Sequence, residues 1–64
     1  MEANEISDYI SNIKKSISTK VPEDKIEVIM VDISNYFFSN WVDNPEFLLD
    51  DLDIENLIRK NIND

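Results

Sequence analysis

The central segment of the chain, residues 25–42, is apolar on two sides. It reads KIEVIMVDISNYFFSNWV, with eleven large apolar residues among eighteen. At ~100° per residue in an α-helix, seven of these form one broad stripe: Ile26, Ile29, Met30, Ile33, Tyr36, Phe37 and Trp41. The other four form a second, roughly opposite stripe: Val28, Val31, Phe38 and Val42. A helix with two apolar faces is normally buried on both, so this segment is expected to be the centre of the fold or half of an interface.

A strand over residues 26–33 is the alternative for part of this segment, because β-branched side chains are common there. The apolar residues do not alternate cleanly, however, and the helical pattern continues through Trp41. We therefore predict helix 2 from about Pro22 to Val42. Proline is tolerated in a first helical turn, and the acids that follow it suit the helix dipole.

Two further amphipathic segments flank helix 2. Helix 1 is predicted over about residues 3–18, where a stripe at helical spacing contains Ile6, Tyr9, Ile10, Ile13 and Ile17. After helix 2, Asn44 followed by Pro45 and an acid is a strong helix-start pattern. It predicts a short helix 3 over 45–51. Helix 4 is predicted over 54–62, capped by Asp51 or Asp53, with a buried stripe of Ile54, Leu57, Ile58 and Ile62.

Glycine is absent from the chain. Tight turns with positive φ must therefore use Asn, which disfavours hairpins and favours helices. At 64 residues one domain is expected, covering residues 1–64. We predict an all-α fold, a small helical bundle of three to four helices with a long central helix 2.

The residue types that are missing exclude most catalytic chemistry. The chain has no Cys and no His, so disulfides, thiolate metal sites and imidazole general bases are excluded. So short a helical chain also lacks room for a deep pocket of several hundred Å³. We predict that the protein is not an enzyme, with no catalytic residues.

Two acidic patterns in the last third of the sequence are similar to known binding motifs. The segment DDLDIENL, residues 50–57, is similar to the DSLDxVEL signature of acyl carrier proteins, whose Ser carries phosphopantetheine. Asp51 stands at the Ser position, so there is no attachment point. A calcium loop starting at Asp51 would need a ligand at its twelfth position, where Ile62 cannot serve. We expect neither a cofactor nor a metal.

The net charge is −8, which argues against binding nucleic acid or an anionic membrane. The acidity is concentrated in residues 43–64, with seven acids against two bases. The N-terminus is acidic without the apolar core of a secretion signal, and the longest apolar run is VIMV, far short of the ~20 residues that span a membrane. With no Cys, the chain is compatible with a reducing compartment. We expect a soluble, cytoplasmic protein.

Together these features favour a non-enzymatic protein–protein interaction module, a small acidic regulator or inhibitor. A basic, nucleic-acid-binding protein is a candidate partner. Abundant Ile and Asn without Gly is typical of AT-rich genomes, such as those of low-GC bacteria and their phages. Two surfaces are candidate interfaces. One is acidic, with Asp50, Asp51, Asp53 and Glu55; the other is the second stripe of helix 2, with Val28, Val31, Phe38 and Val42.

The alternative is a structural or assembly subunit that acts as a homo-oligomer through the apolar stripes of helix 2. A domain of about 60 residues is only marginally stable alone. A symmetric dimer would bury the second stripe without new sequence features, so we expect a homodimer.

Overall fold

The computed structural model describes residues 2–62, which form three α-helices and no β-strand. Helix α1 spans Ala3–Ile17, α2 spans Glu23–Asp43 and α3 spans Asp51–Ile62. The all-α prediction is confirmed. The bounds of α1 and α2 lie within one residue of those predicted from the sequence.

Helix α2 lies between the other two helices. It packs against α1 on one side and α3 on another, whereas no Cα of α1 lies within 8 Å of a Cα of α3 in the part of the chain described. The core combines residues from α1, α2 and both connections: Ile6, Ile13, Ile17, Val21, Ile29, Met30, Ile33, Phe37 and Leu49. The main stripe of α2 therefore supplies the centre of the core, although Tyr36 at its edge is exposed.

The connection between α2 and α3 differs from the sequence prediction. No helix forms over 45–51 before α3 begins; the predicted helix 3 is wrong. The Asn44 side chain Oδ1 accepts the Glu46 N–H at 3.2 Å and its backbone oxygen accepts the Phe47 N–H at 2.9 Å, which makes a single turn. Beyond it, Leu49 is buried, whereas Leu48 is 57% exposed.

The reason for this difference is the alternation of side chains in the connection. Phe47 and Leu49 both pack on the core, and two residues that are two positions apart share a face only in an extended backbone. The ring of Phe47 lies 6.0 Å from that of Phe37. Burial of these two side chains outweighs the local preference for a helix after Asn44.

Tyr9 attaches the connection to α1. Its hydroxyl oxygen accepts the Leu49 N–H at 2.9 Å, and the hydroxyl lies 3.5 Å from the Leu49 carbonyl oxygen as a donor. The Tyr9 ring also packs on Phe37, with centroids 5.4 Å apart. One side chain thus links α1, the core and the connection.

Helix α3 begins earlier than predicted, and its cap is Asp50 instead of Asp51 or Asp53. Asp50 Oδ1 accepts the Asp53 N–H at 2.8 Å, and the Asp50 N–H donates to Asp53 Oδ2 at 3.4 Å. This reciprocal pair is a capping box in which Asp replaces the usual Glu. The predicted inner stripe of α3 is half-buried at Ile54, Leu57 and Ile58, but Ile62 is 40% exposed and its predicted burial is wrong.

Candidate functional site

Four large apolar side chains form an exposed face on α2, here called the apolar face. They are the second stripe of the sequence analysis, and their exposed fractions are 45% for Val28, 54% for Val31, 43% for Phe38 and 72% for Val42. The sequence left open whether they belong to the core or to an interface. The structure places all four outside the core, because α1 and α3 cover other sides of α2.

Phe38 connects the apolar face to the interior. Its ring lies 5.5 Å from the ring of the fully buried Phe37 and 6.3 Å from that of Trp41, in edge-to-face arrangements. Such aromatic pairs are attractive beyond the area they bury. The position of Phe38 is therefore set by the core, whereas part of its ring remains available at the surface.

A groove follows the seam between α1 and α2 and borders the apolar face. It consists of two adjoining cavities that share Ile10 and Ser34. The apolar section, about 420 Å³, is lined by Ala3, Ile6, Ser7, Ile10, Ser34, Phe38 and Trp41. The charged section, about 540 Å³, is lined by Ile10, Lys14, Glu23, Ile26, Glu27, Met30, Val31 and Ser34. Both sections are open to solvent along the seam, unlike an enclosed pocket.

The apolar face and the groove form one continuous surface. Val31 lines the charged section and Phe38 lines the apolar section, so the edge of the groove is also part of the apolar face. The apolar section lies beside the last turns of α2, and the charged section lies beside its first turns, where Glu23 and Glu27 are exposed. The surface therefore changes along α2 from acidic to apolar.

Sequence reasoning missed the groove. Ile10 and Trp41 were assigned to the core stripes, and each is only half-buried. Ser7 and Ser34 were assigned no role. Their small side chains sit among larger apolar ones on facing helices and leave space along the seam. That pattern of small residues inside apolar surroundings is the sequence signal for the groove.

The predicted acidic site splits into two pairs. Asp50 and Asp53 form the cap of α3, so they serve the fold. Asp51 and Glu55 are exposed and lie four positions apart on α3, on one face of the helix. The structure thus brings the four residues together at the start of α3. Only Asp51 and Glu55 have no capping role and are free to act as a contact surface.

Tyr36 extends this cluster across to α2. Its hydroxyl donates to Asp53 Oδ1 at 3.4 Å. The negative charge of Asp53 raises the pKa of the Tyr36 hydroxyl above its usual value, with further contributions from desolvation, from this hydrogen bond and from the charge of Asp50. Further along, the Asn61 side chain donates to Asp32 Oδ2 at 2.8 Å, so polar contacts fix α3 on α2 near both of its ends.

Among residues 2–62, no three acidic side chains are grouped closely enough to hold a metal ion. Within the same residues, no helix combines the length and hydrophobicity needed to cross a membrane. The chain matches no protein-family model, no curated protein and no solved structure.

Proposed function

We propose that this protein is a small helical bundle that acts as a non-enzymatic protein-binding module, a small acidic regulator or inhibitor of another protein. The apolar face of α2 is its contact surface in this proposal. The observation that carries it is the exposure of four large apolar side chains on one side of the central helix. Large apolar side chains exposed on one side of a helix are a feature of interaction sites.

The free energy gained by covering the apolar face indicates whether a partner must also contact other parts of the surface. A fully buried Val or Phe gains about 1.5–3 kcal/mol relative to full exposure. Since the four side chains are about half exposed, covering them gains roughly 3–6 kcal/mol in total on that scale. Association costs about 4–15 kcal/mol in lost freedom. The apolar face alone therefore does not support tight binding, and a partner needs the groove or charged contacts as well.

The second candidate function is a structural or assembly subunit that forms a homodimer. The same exposed apolar face favours it, because a two-fold axis through α2 would cover the face on both copies. A standard interface covers about 800 Å² per partner, roughly a sixth of the 4602 Å² accessible surface of the described chain. Sedimentation equilibrium separates the two functions, since a dimer has twice the 7.5 kDa mass of one chain.

Site-specific photo-cross-linking in the native host tests the proposed function. A photoreactive amino acid is placed singly at Val31 or Val42, which are both exposed, and at Asn12 as a control. Asn12 is also exposed but lines neither section of the groove. We expect a discrete adduct with another protein from positions 31 and 42 and none from position 12.

Other cross-linking outcomes have clear meanings. Adducts of two copies of this chain support the assembly function instead. Adducts that are the same from all three positions, or absent from positions 31 and 42, contradict the apolar face as the contact surface.

A further inference from the structure

We propose that the groove and the apolar face together hold a cationic amphipathic helix of another protein. This inference rests on the proposed function and names the chemistry of the partner. The partner helix presents apolar side chains to Phe38 and Trp41 and Lys or Arg side chains to Glu23 and Glu27. Three observations support it: the shape of the surface, the order of charge along it and the composition of α2.

The shape of the surface fits a helix. The lining residues on α2 run from Glu23 to Trp41, a span of about 27 Å at ~1.5 Å per residue. Both walls of the groove are helices, α1 and α2. Amphipathic helices bind in such grooves through apolar side chains spaced by three or four residues. A partner helix of about 18 residues, ~27 Å long, would cover both sections.

The order of charge fixes how that helix lies. Among the described residues that line the apolar section none is charged, whereas Glu23, Glu27 and Lys14 line the charged section. Asp24 lies one turn before Val28 on α2 and extends the acidic end onto the apolar face. Three acids against one base favour a partner with cations at that end. Its apolar residues then fall on the apolar section.

The composition of α2 argues against a second copy of this chain as the occupant. Lys25 is the only basic residue in Glu23–Asp43, and the last turn of α2 has none. A two-fold axis would place this acidic helix against an identical one. A second copy would cover the apolar side chains, but its α2 would bring only Lys25 as a cation for Glu23, Asp24 and Glu27. The acidic end of α2 is therefore better matched by a basic segment of another protein than by a second copy of this chain.

Trp41 provides a direct assay. It is the only Trp in the chain, it is half-buried, and it lines the apolar section. The probe is a synthetic amphipathic helix of about 18 residues made of Leu and Lys, without aromatic residues. Two controls are a charge-reversed peptide of Leu and Glu and a scrambled Leu–Lys peptide. We expect saturable change in Trp41 fluorescence with the first peptide alone, and weaker binding as salt screens the charges.

A matched pair of variants distinguishes the groove acids from the acids of α3. Glu27→Gln and Glu55→Gln remove the same charge from exposed helical positions, but only Glu27 lines the groove. Exposed ion pairs contribute about 0.2–1 kcal/mol, so Glu27→Gln should weaken binding of the Leu–Lys peptide about 1.5- to 5-fold. Glu55→Gln should leave binding unchanged.

A third variant separates the groove from general attraction between opposite charges. Val31→Asp adds an acid and removes an apolar contact at an exposed position. Binding through the apolar face should weaken, whereas general attraction should strengthen. Far-UV circular dichroism checks that the helices are retained.

Several results would overturn the inference. They are equal binding of the Leu–Glu or the scrambled peptide, equal effects of Glu27→Gln and Glu55→Gln, stronger binding of Val31→Asp, or a native homodimer through this face. The proposed function fails separately. If positions 31 and 42 cross-link to another protein but the Leu–Lys peptide does not bind, the function stands and the cationic helix is wrong.

Discussion

Replacing Asp50 by Ala should destabilise the protein through the cap of α3. Asp50 Oδ1 accepts the Asp53 N–H at 2.8 Å, a short bond to one of the first amides of the helix. Loss of a capping side chain costs about 0.5–2 kcal/mol. We expect about 1 kcal/mol, because the site is exposed and the reciprocal bond to Asp53 is long at 3.4 Å. Water can hydrate both amides when the carboxylate is gone.

This loss is large enough to measure. At ~0.05–0.15 kcal/mol per residue, a chain of this size has a total stability of roughly 3–10 kcal/mol. A loss of about 1 kcal/mol lowers Tm by about 4–8 °C in a domain of this size. Urea unfolding followed by far-UV circular dichroism, with Tm from the same signal, gives both quantities.

Two matched variants identify the cap. Asp50→Asn keeps a side-chain oxygen, and Asn is as good a cap as Asp, so its stability should stay close to that of the wild type. Asp51→Ala removes a neighbouring carboxylate that makes no capping bond. Asp51→Ala loses the favourable interaction of the carboxylate with the helix dipole, but the better helix propensity of Ala partly offsets that loss. If Asp51→Ala costs as much as Asp50→Ala, or if Asp50→Asn does, Asp50 is not the cap.

Three further predictions concern the core and its attachments. Phe37→Ala should cost about 3–5 kcal/mol in urea unfolding, because the ring is fully buried; a loss below that range contradicts its central position. Tyr9→Phe should cost about 0.5–1.5 kcal/mol through its bonds to Leu49, and a larger loss from the exposed Tyr36→Phe would contradict this. The raised pKa of Tyr36 stabilises the fold below the unfolded-state pKa, and the effect is lost as pH rises through the folded-state value. Titration by NMR should therefore show Tyr36 ionising later than an ordinary tyrosine in the native protein, and the delay should be smaller in Asp53→Asn, where desolvation and the charge of Asp50 remain.

The sequence predicted α1 and α2 well because their apolar periodicity is long and their ends carry agreeing signals. In α1, Glu5 lies in the first turn and Lys14 and Lys15 in the last, as the helix dipole favours. The stripe of isoleucines faces the core along the whole helix. In α1 the local preference for a helix and the packing of its isoleucines favour the same structure.

The region after Asn44 was predicted less well because local and tertiary preferences conflict. The Asn-Pro-Glu pattern forms a single turn. Burial of Phe47 and Leu49 against the core then favours an extended backbone over a helix. Asp50 and Asp53 are three positions apart, the spacing of a capping box. That spacing marks the true start of α3, but the sequence analysis places the cap at Asp51 or Asp53, because several acids lie close together there.

The candidate site could be predicted only in part. The periodicity separated the second stripe of α2 from the main one but left open whether it is core or interface. In the structure Val28, Val31, Phe38 and Val42 are all exposed. Small residues among apolar ones are a sequence signal for the groove, but its extent depends on how closely α1 approaches α2 around Ser7 and Ser34. Single-sequence periodicity gives the faces of each helix but not the separation between helices.

Because the Leu49 amide is hydrogen-bonded to Tyr9, its hydrogen exchange measures the contact between α1 and the connection. It lies outside every helix, yet its N–H is hydrogen-bonded and its side chain is buried. Amide hydrogen exchange at Leu49 requires that the connection separate from α1, since 40 positions divide the two residues along the chain. Fraying of α3 alone would leave that amide protected. Its exchange rate in native buffer therefore measures how often the connection separates from α1.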